Sequence, residues 1–132
     1  MANIINFSDA ASIGLHSMIL IAKSDKPINA IQLAEKLGKS KHHIGKILQR
    51  LVKDSLLSST RGPTGGFELL IDPSEVSLYD VYSSIEGKSK VKICSEDELI
   101  CPVDKCIRKN LIKRLSEEFV LFMSSQKLSE YL

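Results

Sequence analysis

INAIQLAEKLGKSKHHIGKILQRLVKDSLLSSTRGPTGGFELLI, running from Ile28 to Ile71, is the stretch that decides the fold. Asn29 followed by Gln32 is the pattern of a reciprocal capping box. The helix it opens, Ala30–Leu37, meets Gly38, a residue suited to the left-handed turn at a helix stop. Ser40 then caps a second helix. In that helix Ile44, Ile47, Leu48, Leu51 and Val52 recur at i, i+3, i+4, i+7 and i+8, one buried face. Lys41, His42, Gly45, Lys46, Gln49, Arg50 and Lys53 take the opposite face. Beyond it, the β-prone runs 56–60 and 67–71 flank Arg61-Gly62-Pro63-Thr64-Gly65-Gly66, which predicts a hairpin. The expected architecture is mainly α with a small β-hairpin: a winged helix-turn-helix plus a long C-terminal dimerisation helix.

Charge assigns this unit a partner. Between Lys39 and Arg61 six Lys/Arg face one acid, Asp54, which leaves +5 in a chain whose net charge is only +2. Basic charge gathered on one helix and a hairpin tip is an electrostatic footprint for phosphates. The plain alternative is a solvated helix face. With double-stranded DNA as partner, the helix 41–53 enters the major groove with Ser40–Lys46 nearest the bases. Arg61 reaches a narrow A·T-rich minor groove. The candidate contacts are Ser40, Lys41, His42, His43, Lys46, Gln49 and Arg50 on the helix, and Arg61, Gly62, Pro63, Gly65 and Gly66 in the wing. Gly45, a mid-helix glycine, either serves close packing or lets the helix settle on DNA.

The run from Leu51 to Leu69, with its Arg-Gly-Pro-Thr-Gly-Gly tip, resembles the wing signature of the Rrf-two family, the IscR/NsrR-type bacterial winged-helix regulators. The similarity extends over nearly the whole chain. It implies a homodimeric repressor on a near-palindromic operator, in the cytoplasm, with DNA affinity set by an iron–sulfur cluster.

The 132 residues suffice for one core and leave no room for a separate catalytic domain. Their 43% hydrophobic and 26% charged content is that of an ordinary globular protein; with so short a chain and no acid/base constellation beside its cysteines, no enzyme activity is expected. No apolar run approaches the roughly 20 residues of a membrane span, and the first residues show no signal-peptide pattern. A first helix is expected from Ser8 or Asp9 to about Ala22, with Ala10, Ile13, Gly14, Ser17, Met18 and Ile21 on its packing face. His16 lies on the same helix without a pattern that marks it as a ligand. Ser77 and Asp80 open a helix over Leu78–Glu86, whose stripe Leu78, Val81, Tyr82 and Ile85 ends at Gly87. A long helix is expected from about Asp104 to Gln126, with Ile107, Leu111, Leu115, Phe119 and Phe122 on one side and Ile112 and Met123 widening the stripe. So apolar a terminal helix needs a second copy to cover it. Three units follow: residues 1–87 for DNA binding (wing about 56–71), 88–106 as a cysteine-containing sensor loop, and 104–132 as dimerisation helix and tail.

Cys94, Cys101 and Cys106 form C-x6-C-x4-C within thirteen positions. An odd, clustered set is not a secreted disulfide framework and points to metal or redox chemistry. Thiolates hold iron–sulfur centres, and they also act as thiol switches or, with a fourth ligand, bind zinc. Cluster-binding relatives typically show C-x5-C-x5-C in this loop; here the outer span is equal and the middle Cys lies one place later. Relatives with a [2Fe–2S] cluster place a His three positions past the last Cys, where this chain has Lys109. Nitric-oxide-sensing relatives instead use an Asp near the start of the first helix of the other subunit. Phe7-Ser8-Asp9-Ala10-Ala11 is similar to that segment and makes Asp9 the candidate fourth ligand, with [4Fe–4S] preferred, [2Fe–2S] as the alternative, and an apo form without either. Asp9 is equally readable as a first-turn acid favoured by the helix dipole. Glu96, Asp97, Glu98 and Asp104 are the loop's substitutes. Rival readings from other classes are an iron–sulfur electron carrier and a winged helix used for protein contacts.

Overall fold

The helix caps foreseen in the sequence bound the helices in the computed structural model, which describes residues 7–88 and 102–132. In chain order these are α1 (Asp9–Lys23), α2 (Ala30–Leu37), α3 (Lys41–Lys53), β1 (Leu57–Thr60), β2 (Gly66–Leu69), α4 (Leu78–Glu86) and α5 (Leu111–Ser125). A 3-10 turn, Leu128–Tyr131, closes the chain. Asn29 and Gln32 form a complete capping box, and Gly38 ends α2 in the left-handed region at φ 65°. Ser77 and Asp80 form a second box at the start of α4. Each box satisfies two helix-end N–H groups that would otherwise lack a partner.

The core lies where α1, α3, β1 and α4 meet. Met18, Leu33, Ile44, Leu48, Leu51, Leu57 and Val81 are wholly buried in it. Burial of each such side chain stabilises the fold by about 1.5–3 kcal/mol before the entropy of ordering is subtracted. α1 crosses α4 at Gly14, where an added Cβ would lie 2.0 Å from Ile85 Cδ1. The wing is antiparallel, with Leu57 opposite Leu69 and Ser59 opposite Phe67. Its second strand also pairs with the segment before α2: Phe67 N–H donates to Ile28 O at 2.8 Å, and Ile28 N–H donates to Phe67 O at 3.2 Å. Gly66 makes this approach feasible. A Cβ there would sit 2.6 Å from the Ile28 carbonyl carbon, and the φ of 152° is one that side chains rarely adopt.

The C-terminal third departs from the sequence expectation. The last helix starts at Leu111 rather than near Asp104, because Lys109 (φ 48°) and Asn110 (φ 63°) are both left-handed and interrupt any earlier helical turn. Ile107 therefore leaves the stripe and is 85% exposed. Phe119 turns inward, its ring centroid 4.9 Å from that of Tyr82 and 5.9 Å from that of Phe7. The exposed apolar face of α5 consists of Leu111, Ile112, Leu115, Leu121 and Phe122. No local pattern announces the closing turn. Leu128 is wholly buried, and its N–H donates to Val76 O at 2.9 Å.

Candidate nucleic-acid interface and sensor segment

Ser40 sets the start of α3, its Oγ accepting from His43 N–H at 3.1 Å. With Ile44, Ile47, Leu48 and Leu51 buried, Lys41, His42, Lys46 and Gln49 stand on the solvent side. They form one wall of an open groove whose other wall is the start of α2, with Phe67 of the wing closing one end. Gly45 lies in the groove, and a Cβ there would meet nothing within 4 Å. Close packing within the chain therefore does not account for this glycine. Ile31, half-exposed on the opposite wall, belongs to the groove as well. Sequence reading missed it because an exposed isoleucine carries no periodic signal.

Two helix candidates point elsewhere. Arg50 Nε–H donates to Ser84 O at 2.9 Å, and Ser84 Oγ–H donates to Asp54 Oδ2 at 2.5 Å, so Arg50 braces α3 against α4. His43 lies on the α1 side, with Nδ1 3.9 Å from Asp9 Oδ2. In the wing Arg61, Gly62, Pro63 and Thr64 are exposed at the tip, and Gly65 N–H donates to Gly62 O at 3.1 Å to close the turn. Gly66 is buried against Ile28 and serves wing docking. His16 Nδ1 bonds locally to Ser12 O at 2.7 Å.

Of the three cysteines, Cys94 and Cys101 lie outside the described residues, as do Glu96, Asp97 and Glu98. Cys106 is exposed in the turn before α5. The nearby backbone N–H groups of Arg108, Lys109 and Asn110, together with the Arg108 charge, hold the thiol below its ordinary range; the Lys109 N–H itself donates to Cys106 O at 3.3 Å. Successive N–H groups converging on one atom form a concavity that stabilises an anion, and thiolate is the form that binds metal or attacks a disulfide. Asp9 stands at the start of α1, next to the cap residue Ser8, with Oδ1 accepting from Lys39 Nζ at 2.9 Å. Among the described residues no three His, Cys, Asp or Glu side chains gather around one point.

The sequence pattern of the Rrf2 family, described as an iron-dependent transcriptional regulator, matches residues 7–132. The chain belongs to the Rrf2 family. It is similar to the HTH-type transcriptional regulator IscR of Photorhabdus laumondii, with 30% identity over 85% of this chain and 68% of that protein. Among solved structures, CymR, the global cysteine regulator of B. subtilis, superposes with a TM-score of 0.76 at 22% identity, over 96% of this chain and 95% of the other. The oxidised form of Staphylococcus aureus CymR gives 0.74 at 25% identity, over 94% and 93%. Rrf2 membership makes this chain a DNA-binding transcriptional regulator of winged-helix type rather than an enzyme. No described helix is long and apolar enough to cross a membrane.

Proposed function

We propose that the chain is a homodimeric repressor that reads a near-palindromic operator through α3 and the wing. The observation that supports this best is the groove: Lys41, His42, Lys46 and Gln49 stand clear of the core beside an open backbone notch at Gly45. Lys41 and Lys46 neutralise phosphates, while His42 and Gln49 offer donors and acceptors to base edges. Arg61 contacts an adjacent minor groove. Residues 1–87 act as the DNA-binding unit and 88–106 as the sensor segment. The remainder, with its helix from Leu111, joins two copies through the exposed apolar face of Leu111, Ile112, Leu115, Leu121 and Phe122.

In this reading Cys94, Cys101 and Cys106 hold an iron–sulfur cluster, [4Fe–4S] in preference to [2Fe–2S], with Asp9 of the other subunit as fourth ligand. The thiolate-stabilising cradle at Cys106 fits that donor chemistry, and Asp104 is exposed beside it. A bound cluster supplies a centre whose charge and geometry change with redox state or on attack by nitric oxide. This chain's residues supply thiolate donors and the turn that carries them into α5. Anaerobically purified protein should contain iron and sulfide and absorb in the visible, and Cys106→Ser should remove both. Colourless, iron-free protein after anaerobic reconstitution would overturn the cluster. The second reading is a thiol switch, favoured by the same lowered Cys106 thiol. It predicts a disulfide that forms on mild oxidation of metal-free protein.

A further inference from the structure

Three consecutive residues at the start of α1 engage three different elements. The Phe7 ring centroid lies 5.9 Å from Phe119 of α5 and 6.1 Å from Tyr82 of α4. Ser8 caps α1, accepting from Ala11 N–H at 3.0 Å, and its hydroxyl donates to the Glu86 carboxylate at the end of α4. Asp9 is thereby aimed at the helix-turn-helix, with Oδ1 2.9 Å from Lys39 Nζ and Oδ2 3.9 Å from His43 Nδ1. Lys39 immediately precedes the Ser40 cap, on the rim of the helix that carries the groove. Its side chain is 41% exposed, within reach of an approaching phosphate.

We propose that Lys39 is a further phosphate contact of the nucleic-acid interface and that Asp9 is its intramolecular competitor. A carboxylate and a phosphate oxygen offer an ammonium the same kind of acceptor, and Lys39 Nζ is already held by Asp9 in the DNA-free chain. Both partners are substantially exposed, so the pair is weak, worth about two- to fivefold in an equilibrium. That magnitude suits a gate: strong enough to bias Lys39, weak enough for DNA to displace. Because Phe7 and Ser8 fasten Asp9 to α4 and α5, movement of those helices changes how well the carboxylate reaches Lys39. On the cluster reading above, a carboxylate drawn to the partner's iron would withdraw from Lys39 and release it for DNA. That last link rests on the cluster reading, and the gate itself does not.

The test uses cluster-free full-length protein and a fluorescent random-sequence duplex, since phosphate contacts are independent of sequence. Anisotropy titrations over a salt series give the slope of log affinity against log salt. One additional Lys–phosphate pair should steepen that slope by about 0.9. Asp9→Asn should bind about two- to fivefold tighter than wild type at low salt. Lys39→Gln, a change on an exposed turn, should bind more weakly than wild type with a slope shallower by about 0.9, and the double variant should lose the tightening completely. Superimposable salt plots for wild type and Asp9→Asn would overturn the proposal. So would a tightening that persists in the Lys39→Gln background, because the carboxylate would then act only through net charge. Failure of the cluster reading would show separately, as anaerobic protein without a chromophore.

Discussion

Gly45→Ala separates stability from binding at a single atom. In a helix interior glycine is about 0.8–1.0 kcal/mol less favourable than alanine, and the new methyl would meet nothing within 4 Å. No steric term opposes the gain, so the variant should be more stable by about 0.5–1 kcal/mol. With an unfolding entropy near 2.1 cal/mol/K per residue over 132 residues, this raises Tm by about 2–4 °C. Calorimetry at equal protein concentration, which holds dimerisation constant, would read the change. The same methyl fills the notch between Lys41, His42 and Gln49. Binding to an operator recovered by selection from random duplexes should therefore weaken even as the fold strengthens. A lower Tm would refute the open geometry. A higher Tm with undiminished affinity would show that glycine is merely tolerated and that α3 does not approach DNA through this notch.

Arg61→Ala should weaken operator binding by about 1–3 kcal/mol and relax the preference for A·T-rich sequence beside the half-site, as read by competition gel shift. Lys46→Ala should reduce the salt slope by about 0.9, whereas Arg50→Ala should leave the slope intact and cost about 1 kcal/mol in urea unfolding, since its Nε–H is committed to Ser84 O. Leu121→Glu with Phe122→Glu, at positions 73% and 55% exposed in the single chain, should give monomers in sedimentation; a persisting dimer would move the interface off α5. Ser40→Ala should cost about 0.5–2 kcal/mol through loss of the α3 cap, measurable as a lower unfolding midpoint.

What the sequence disclosed were features encoded within a few residues. Asn29 with Gln32, Ser40, Ser77 with Asp80, Gly38 and Gly87 each act on backbone groups no more than four positions away, so spacing alone locates these helix starts and stops. The apolar period of α3 likewise determines which residues face inward. Features that depend on distant partners stay hidden. Nothing local distinguishes Arg50, bound to a carbonyl 34 positions away, from Lys46, which faces the groove. Asp9 reads as a first-turn acid until Lys39, 30 positions on, is brought to it. Phe119 satisfies the stripe of a dimer helix, yet Phe7 and Tyr82 capture it. The start of α5 is equally illegible: Ile107 fits the apolar period, whereas the left-handed pair Lys109 and Asn110 that prevents a helix there is a tertiary choice.

The closing turn gives α5 one clamped end and one exposed end. Leu128 is buried beneath α1, and Lys127 bridges to Ser77 at the start of α4, so the chain is clamped just after Ser125. Fifteen residues at 1.5 Å each make α5 a rod of about 22 Å, with Cys106 a short turn beyond its far tip. Pivoting about the clamp by about 5° shifts the Leu111 end by about 2 Å while hardly moving the Ser125 end. On the sensor reading proposed above, chemistry at the cysteine segment would act on the long arm of a lever whose fulcrum is the DNA-binding unit itself. In the proposed homodimer, small displacements there would become changes in the angle between two copies, and so in the spacing of their α3 helices along the duplex.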